Sequence, residues 1–264
     1  MLELAGPVSD WMVSPVVTLR EETFLAEAAR RFEELDVSAL PVVDASHRLM
    51  GVLSRTQLRR AGRFVRETPD QKRHLRLPEA RVGEFMNSQV PVIRRELALR
   101  ACARSMLKQQ IHRLYIAEDG PLEGLISTRE LRRAVVEARI ATPLGGVARG
   151  AFATLPADAP LRTAVARLDG QPSLTLILMR EAVPVGIFAE PEALDAREAD
   201  PQEAAALWMD PSVLGLPAEL PAHLGAEQAL ERRARYIVTL DSTGTVQGLV
   251  SGLGFAELIA GATR

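Results

Sequence analysis

Gly51-Val52-Leu53-Ser54-Arg55-Thr56-Gln57-Leu58-Arg59-Arg60-Ala61 returns 73 residues later as Gly124-Leu125-Ile126-Ser127-Thr128-Arg129-Glu130-Leu131-Arg132-Arg133-Ala134, with six of eleven positions identical and two more exchanged among aliphatics. Chance does not produce that agreement, so the chain is read first as a repeat protein. Gly186-Ile187-Phe188-Ala189 and Gly248-Leu249-Val250-Ser251 are weaker copies, which places the glycines at spacings of 73, 62 and 62. A second marker precedes each glycine by 38 or 39 residues: Trp11-Met12, Phe85-Met86 and Trp208-Met209, with Val147-Ala148 in the slot of the third copy. Two markers at matched separation, four times over, divide the 264 residues into four units of roughly 60 residues.

Each unit has one internal order. A short extended stretch such as Val16–Leu19 is followed by a helix in which Phe24, Ala28, Phe32 and Leu35 recur at helical spacing, with Thr23 placed to cap it. Leu40-Pro41-Val42-Val43 then reads as a buried strand, residues 44–47 as a turn, and Leu49–Leu53 as a second strand carrying the repeated glycine. A polar helix starting near Ser54 closes the unit. A unit this small has one sheet face and one helix face to bury and cannot bury both alone, so the units are expected to pack in pairs. The first pair is placed at 1–141, with units at about 1–66 and 79–141, and the second at 142–264, with units at about 142–200 and 201–264. Residues 62–81, charged and holding Pro69 and Pro78, are expected to be a solvated connector with a short helix. Gly145-Gly146 reads as linker flexibility between the pairs.

Composition narrows the function. A hydrophobic share of 47% with 25% charged residues is that of a folded globular chain. One cysteine, Cys102, excludes a disulfide framework and a cysteine-based zinc site. It lies among Ala101, Ala103 and Met106 and reads as a packed core thiol. The N-terminus has no basic and then long apolar pattern, and the apolar run Leu174–Met179 is too short to cross a bilayer, so a cytoplasmic protein without a membrane role is expected. The formal net charge of -2 conceals a division: residues 1–141 carry 23 basic against 19 acidic groups, residues 142–264 carry 9 against 15. The basic and acidic halves are suited to meet, within one chain or across a dimer. Arg59, Arg60, Arg63, Arg66, Lys72, Arg73 and Arg76 form a basic cluster, yet Phe64 is its one aromatic and acids dilute it, so nucleic acid is not the expected partner. No nucleophile elbow, phosphate loop, dinucleotide fingerprint or paired-histidine metal motif is present, so neither a catalytic nor a metal site is expected.

The aromatic-Met marker, the stretch Val37-Ser38-Ala39-Leu40-Pro41-Val42-Val43-Asp44 and the glycine-strand-Ser-helix motif resemble the cystathionine β-synthase (CBS) domain, and four units resemble two tandem CBS pairs, or Bateman modules. The resemblance implies an α+β fold of β-α-β-β-α units, pseudo-two-fold pairs and ligand clefts that commonly hold AMP, ADP, ATP or another adenosine-containing ligand. It also implies a regulatory, non-catalytic role beside a partner protein, with no required cofactor and with homodimers common. In the family motif a Ser or Thr touches phosphate or ribose, and an Asp three residues on accepts from the ribose hydroxyls. Here Ser54 keeps the hydroxyl but Gln57 replaces the acid. Ser127 keeps it with Glu130 as the acid, Ala189 is paired with Glu192, and Ser251 with Gly254. The adenine side of the first cleft corresponds to Thr18, Val37, Ser38 and Ala39. In the second unit His112 and Arg113 occupy the slot that supplies cationic contacts to phosphate, with Arg129 beside Ser127. The residues leave two plain alternatives open. Ser54 and Ser127 serve as helix N-caps whether or not a ligand binds, and Glu130 can be a helix-face acid. The missing acid at Gln57 and Gly254 leaves a ligand-free scaffold with closed clefts as an alternative, and the basic segment 62–81 leaves an adaptor for nucleic acid or an acidic partner as a lesser one.

Overall fold

The computed structural model describes residues 4, 6–65, 74–118, 120–148, 150–171 and 173–261. Each of the four units opens with one turn of 3-10 helix, at Val8–Asp10, Val82–Glu84, Leu144–Gly146 and Ala205–Leu207, immediately before the marker dipeptide. The first unit continues through helix α1 (Leu25–Leu35), strands β1 (Ala39–Val43) and β2 (Leu49–Ser54) and helix α2 (Arg55–Ala61). A hairpin follows, β3 (Arg63–Val65) with β4 (His74–Arg76). The second unit is β5 (Val92–Ile93), α3 (Leu99–Gln109), β6 (Arg113–Ile116), β7 (Gly124–Ser127) and α4 (Thr128–Glu137). The third is β8 (Ala151–Pro156), α5 (Leu161–Leu168), β9 (Leu174–Arg180), β10 (Val183–Phe188) and α6 (Glu190–Asp195). The fourth is β11 (Val213–Pro217), α7 (Ala222–Glu231), β12 (Tyr236–Leu240), β13 (Val246–Val250) and α8 (Gly252–Ala260). The β-α-β-β-α order expected from the repeat is therefore the order of the fold.

Units two to four each hold a three-stranded sheet in which the middle strand runs parallel to the first and antiparallel to the third. In the first unit the opening strand is reduced to a single parallel bridge, Leu19 to Val42. The helices bury their periodic apolar residues, Leu25, Ala28 and Phe32 on α1 and Leu99, Cys102, Ala103 and Met106 on α3. Burial pushes the Cys102 thiol up to about 12, so it stays protonated and inert at neutral pH.

Three sequence expectations are corrected. Thr23 does not cap α1: Phe24 holds the cap position, and the Thr23 hydroxyl accepts from the Arg20 N–H instead. The segment after Gly62 is a hairpin and not a short helix in its described part; Arg66, Lys72 and Arg73 lie outside the described residues. Gly145 and Gly146 are not slack linker. They belong to a 3-10 turn anchored by Leu144, which is fully buried against Gly225, and the Gly145 N–H donates to the Ala218 carbonyl.

The two repeat markers, about 39 residues apart in one unit, meet their counterparts in the other unit of the pair. Met12 lies on Gly124 and Met86 on Gly51; a Cβ at either glycine would stand 2.7 Å from the methionine sulfur. Met209 lies on Gly186 in the same way, and Ala148 covers Gly248 where the third unit has lost its methionine. Backbone bonds fix these crossings. Val13 and Leu125 exchange both N–H groups, as do Asn87 with Val52 and Asp210 with Ile187. Val8 and Trp11 accordingly sit in the core of the second unit, and Val82 in that of the first. The opening turn of each unit is seated in its pair mate, which is the physical reason a single unit is not a complete core.

The two pairs meet helix to helix. On one side α4 packs along α7 and α8, and α3 along α8, in a single apolar core that includes Leu131, Val135, Ala226, Phe255 and Ile259. On the other side α2 meets α6 through charge: Arg59 Nε lies 3.3 Å from Asp195 and its Nη1 3.9 Å from Glu192, and Arg60 lies 3.8 Å from Glu190. Arg197 returns across the contact and donates to the carbonyls of Arg59, at 3.2 Å, and Gly62. The basic and acidic halves of the sequence thus meet within one chain.

Burial raises Glu192 to about 7, opposed by the Ala189 N–H and Arg59 and reinforced by Asp210. It raises Asp195 to about 6, opposed by Arg59 and Arg197. Both groups bind protons more tightly folded than unfolded. Their contribution therefore favours the fold below their unfolded values and is lost as pH rises through about 6 to 7. We expect Glu192→Gln to flatten the decline of the unfolding free energy measured in urea between pH 5 and pH 8 by an amount on the order of 1–2 kcal/mol. Parallel slopes in the two proteins would refute the assignment.

Candidate functional site

In the first pair the sequence expects a cleft between the ends of the β-strands and the starts of α2 and α4. The β1–β2 pairing sets Ala39 beside Ser54, the β6–β7 pairing sets Arg113 beside Ser127, and Arg113 reaches from the second group to Ser38 and Ala39 in the first. Both serines are helix N-caps. The Ser54 hydroxyl accepts from the Gln57 N–H at 3.2 Å, and the Gln57 side chain accepts from the Ser54 N–H at 2.6 Å. Gln57 also donates to the Phe85 carbonyl at 2.9 Å, which ties α2 to the second unit. Ser127 accepts from the Arg129 N–H at 3.1 Å and donates its hydroxyl to Glu130 at 2.6 Å. Glu130, buried, also accepts from the Ser127 N–H at 2.8 Å.

These are capping boxes, Ser-x-x-Gln and Ser-x-x-Glu, and each satisfies donors that the first turn of a helix leaves free. The third unit keeps half of the device, with Glu192 accepting from the Ala189 N–H at 3.0 Å. In the fourth, Ser251 caps through the Leu253 N–H at 3.3 Å. The residues that the resemblance assigned to a ribose diol are thus turned back onto their own helices. A longer side chain than Asp is what permits it, because Gln and Glu have the extra methylene needed to reach the cap N–H.

Arg113 is the residue that joins the two sides. It projects from the first residue of β6 and bridges the units, donating to the Ser38 hydroxyl at 2.7 Å and to the Ala39 carbonyl at 3.2 Å. Both acceptors are neutral. Arg55 is held by its own unit, donating to the carbonyls of Val37 at 2.6 Å and Phe32 at 2.8 Å. Its pKa is lowered by burial and then by Arg235, with Asp36 acting in the opposite sense. His112 keeps solvent contact, yet the protein around its ring desolvates it, and with Arg113 and Arg132 this lowers its pKa below the ordinary imidazole value. At neutral pH it is a neutral donor or acceptor beside a permanent cation. Thr18 is less directly placed: it is half-buried, and its carbonyl accepts from Arg31 at 3.3 Å. Arg129 is exposed at the start of α4.

Sequence reasoning missed the two arginines that the repeat itself marks. Arg59 and Arg132 occupy the same slot in Leu-Arg-Arg-Ala, five residues after the capping serine. Each crosses to the opposite pair, Arg59 to Glu192 and Asp195, Arg132 to the carbonyls of Ala234 and Arg235 at 2.6 Å each. Arg132 is buried, lies 5.2 Å from the Phe255 ring centroid, and has its pKa lowered to about 10 by burial and then by Arg129. The signal was the identity of the slot, which the exposed Arg60 and Arg133 share, so the repeat marks the arginine pair and only the fold shows which of the two crosses.

The CBS domain family model matches residues 8–63 and 82–137, which are the first and second units. No curated protein matches the chain. Among solved structures, protein MJ1225 from Methanocaldococcus jannaschii, proposed as an archaeal homologue of γ-AMPK, is 13% identical with a TM-score of 0.73 over 96% of this chain and 100% of its own. An uncharacterised conserved protein from Pyrococcus horikoshii is 17% identical with a TM-score of 0.63, over 96% of this chain and 99% of its own. At those identities the two share a fold with this chain across all four units. No helix among the described residues is long and apolar enough to cross a membrane. Residues 8–63 and 82–137 are a pair of CBS domains, and the second half of the chain repeats their fold.

Proposed function

We propose that this chain is a non-catalytic sensor that binds an anionic adenosine-containing ligand, of the AMP, ADP or ATP kind, in the cleft of the first pair. The observation that carries the reading is Arg113: a guanidinium that bridges two units across the cleft through neutral acceptors only. A phosphate offers the same fork two charged oxygens, and charge-assisted bonds are about twice as strong as neutral ones. A ligand that draws Arg113 off Ser38 and Ala39 exchanges a contact within the pair for a contact to itself. His112, Ser127 and Arg129 border the path of the phosphate, and Thr18, Val37, Ser38, Ala39, Ser54 and Gln57 border the adenosine. Because α2 and α4 begin at this cleft and reach the opposite pair through Arg59 and Arg132, occupancy biases how the pairs sit together. The output is then read by a regulated partner protein, in a cytoplasmic homodimer.

A second reading is favoured by the capping boxes. With Gln57, Glu130 and Glu192 all bonded to their own helix starts, no unit presents a free carboxylate to a ribose, which suits a ligand-free scaffold. Thermal denaturation separates the two. The sensor reading expects a nucleotide at 100 times its Kd to stabilise the chain by about 2.7 kcal/mol, and the gain to be lost in Arg113→Ala. An equal gain in both proteins takes Arg113 out of the site, and no gain with any adenine nucleotide at millimolar concentration favours the scaffold.

A further inference from the structure

Outside the first-pair cleft, the third unit holds a pocket of about 720 Å³ between α5, α6 and the segments that follow each of them. Its floor is apolar, built from Leu161, Val165, Leu168, Leu174, Ala193 and Ala196. Val165, on that floor, is 42% exposed. The slots that correspond to Ser54 and Gln57, here Ala189 and Glu192, do not line it, so it is not the third unit's copy of the nucleotide cleft.

The repeat register explains why the space is open. Sixty-two residues on from Ala193 stands Phe255, which is fully buried beneath Arg132 in the contact between the second and fourth units. Seventy-three residues on from Gly62 stands Val135, fully buried in the same contact. On the side of the pocket, α2 ends at Ala61, where α4 runs on to Glu137 and packs along α7. Among the described residues, a phenyl ring and the last turn of a helix that fill one side of the molecule have no counterpart on the other. The opening borders the ionic contact between the pairs directly: Glu190, on its rim, pairs with Arg60, and Arg197, also on its rim, holds the carbonyls of Arg59 and Gly62.

We propose that this pocket is a second ligand site, which takes a small organic anion with an apolar, ring-containing body. The volume lies within the usual range of small-molecule clefts, and an apolar floor with a few charged groups at the mouth is their usual lining. The lining carries Arg162 and Arg197 against Asp169 and Glu190, and Glu190 already pairs with Arg60 outside the pocket, which leaves two guanidiniums to one carboxylate and favours an anion. The body of the ligand replaces the missing phenyl ring and helix turn, and so braces the contact between α2 and α6. The site is independent of Arg113, and either can fail without the other.

The test uses the full chain and the fluorescent probe 1-anilinonaphthalene-8-sulfonate, with neutral N-phenyl-1-naphthylamine as the comparison. We expect saturable enhancement at one site per chain and at least tenfold weaker binding of the neutral analogue. Ala193→Phe, which installs the fourth unit's own side chain, should reduce the enhancement at least tenfold while leaving any AMP-dependent thermal shift unchanged. Val165→Glu, at an exposed position that places no demand on the core, should do the same by repelling the sulfonate. Enhancement that never saturates, or that is equal in the wild-type chain and either folded variant, overturns the site. Equal binding of the neutral analogue overturns its anionic character.

Discussion

Arg132→Ala should lower the melting temperature by about 6–12 °C. The side chain is buried and donates to two carbonyls of the fourth unit, Ala234 and Arg235, at 2.6 Å each. Truncation leaves both oxygens without their donor, and a buried polar group left unsatisfied costs about 1–3 kcal/mol. With the Ala234 oxygen buried and the Arg235 oxygen only part-buried, the sum is about 3 kcal/mol, and each kilocalorie shifts the midpoint of a chain of this size by about 2–4 °C. Arg132→Lys should recover part of the loss, because an ammonium supplies charge and donors but not a planar fork. The neighbouring Arg133→Ala, at an exposed position, should stay within about 0.5 kcal/mol of wild type. Differential scanning calorimetry on the three variants decides the matter. Equal midpoints for Arg132→Ala and Arg133→Ala would show that the repeated arginine does not staple the pairs.

Gly51→Ala should cost about 2 kcal/mol, although Ala is the better residue for a strand and the change adds one methyl group. A Cβ at this position would stand 2.7 Å from the Met86 sulfur and 2.9 Å from the Asn87 carbonyl oxygen. The sulfur can move. The carbonyl cannot, because Asn87 and Val52 exchange their backbone bonds at 2.9 Å each. Met86→Ala in the same chain should therefore relieve part of the strain and leave the rest. A double-mutant cycle in urea should give a coupling of about 0.5–2 kcal/mol between Gly51 and Met86. Strict additivity would mean that the two repeat markers do not touch.

How much of this was legible in the sequence depends on whether the information was local. The order of elements, the four units and the meeting of basic with acidic halves could all be read, because each rests on periodicity or on summed charge. The crossing of Met12 to Gly124 and Met86 to Gly51 could not. The spacing inside one unit is the same whether its markers meet each other or those of the pair mate. The capping boxes were legible in principle, since Ser-x-x-Gln and Ser-x-x-Glu before an apolar run are their signature. The family resemblance drew the same residues toward a ribose instead. The Arg113 bridge needed the fold: Ser38 and Arg113 are 75 residues apart, and no pattern in either unit links them.

On the proposed reading, the first pair holds an adenine nucleotide through Arg113, and native mass spectrometry of the full chain with added AMP, ADP or ATP detects that complex. The wild-type chain should carry a nucleotide adduct that Arg113→Ala loses and Arg129→Ala weakens less. An adduct of equal abundance on Arg113→Ala, or no adduct with any of the three at millimolar concentration, would contradict it.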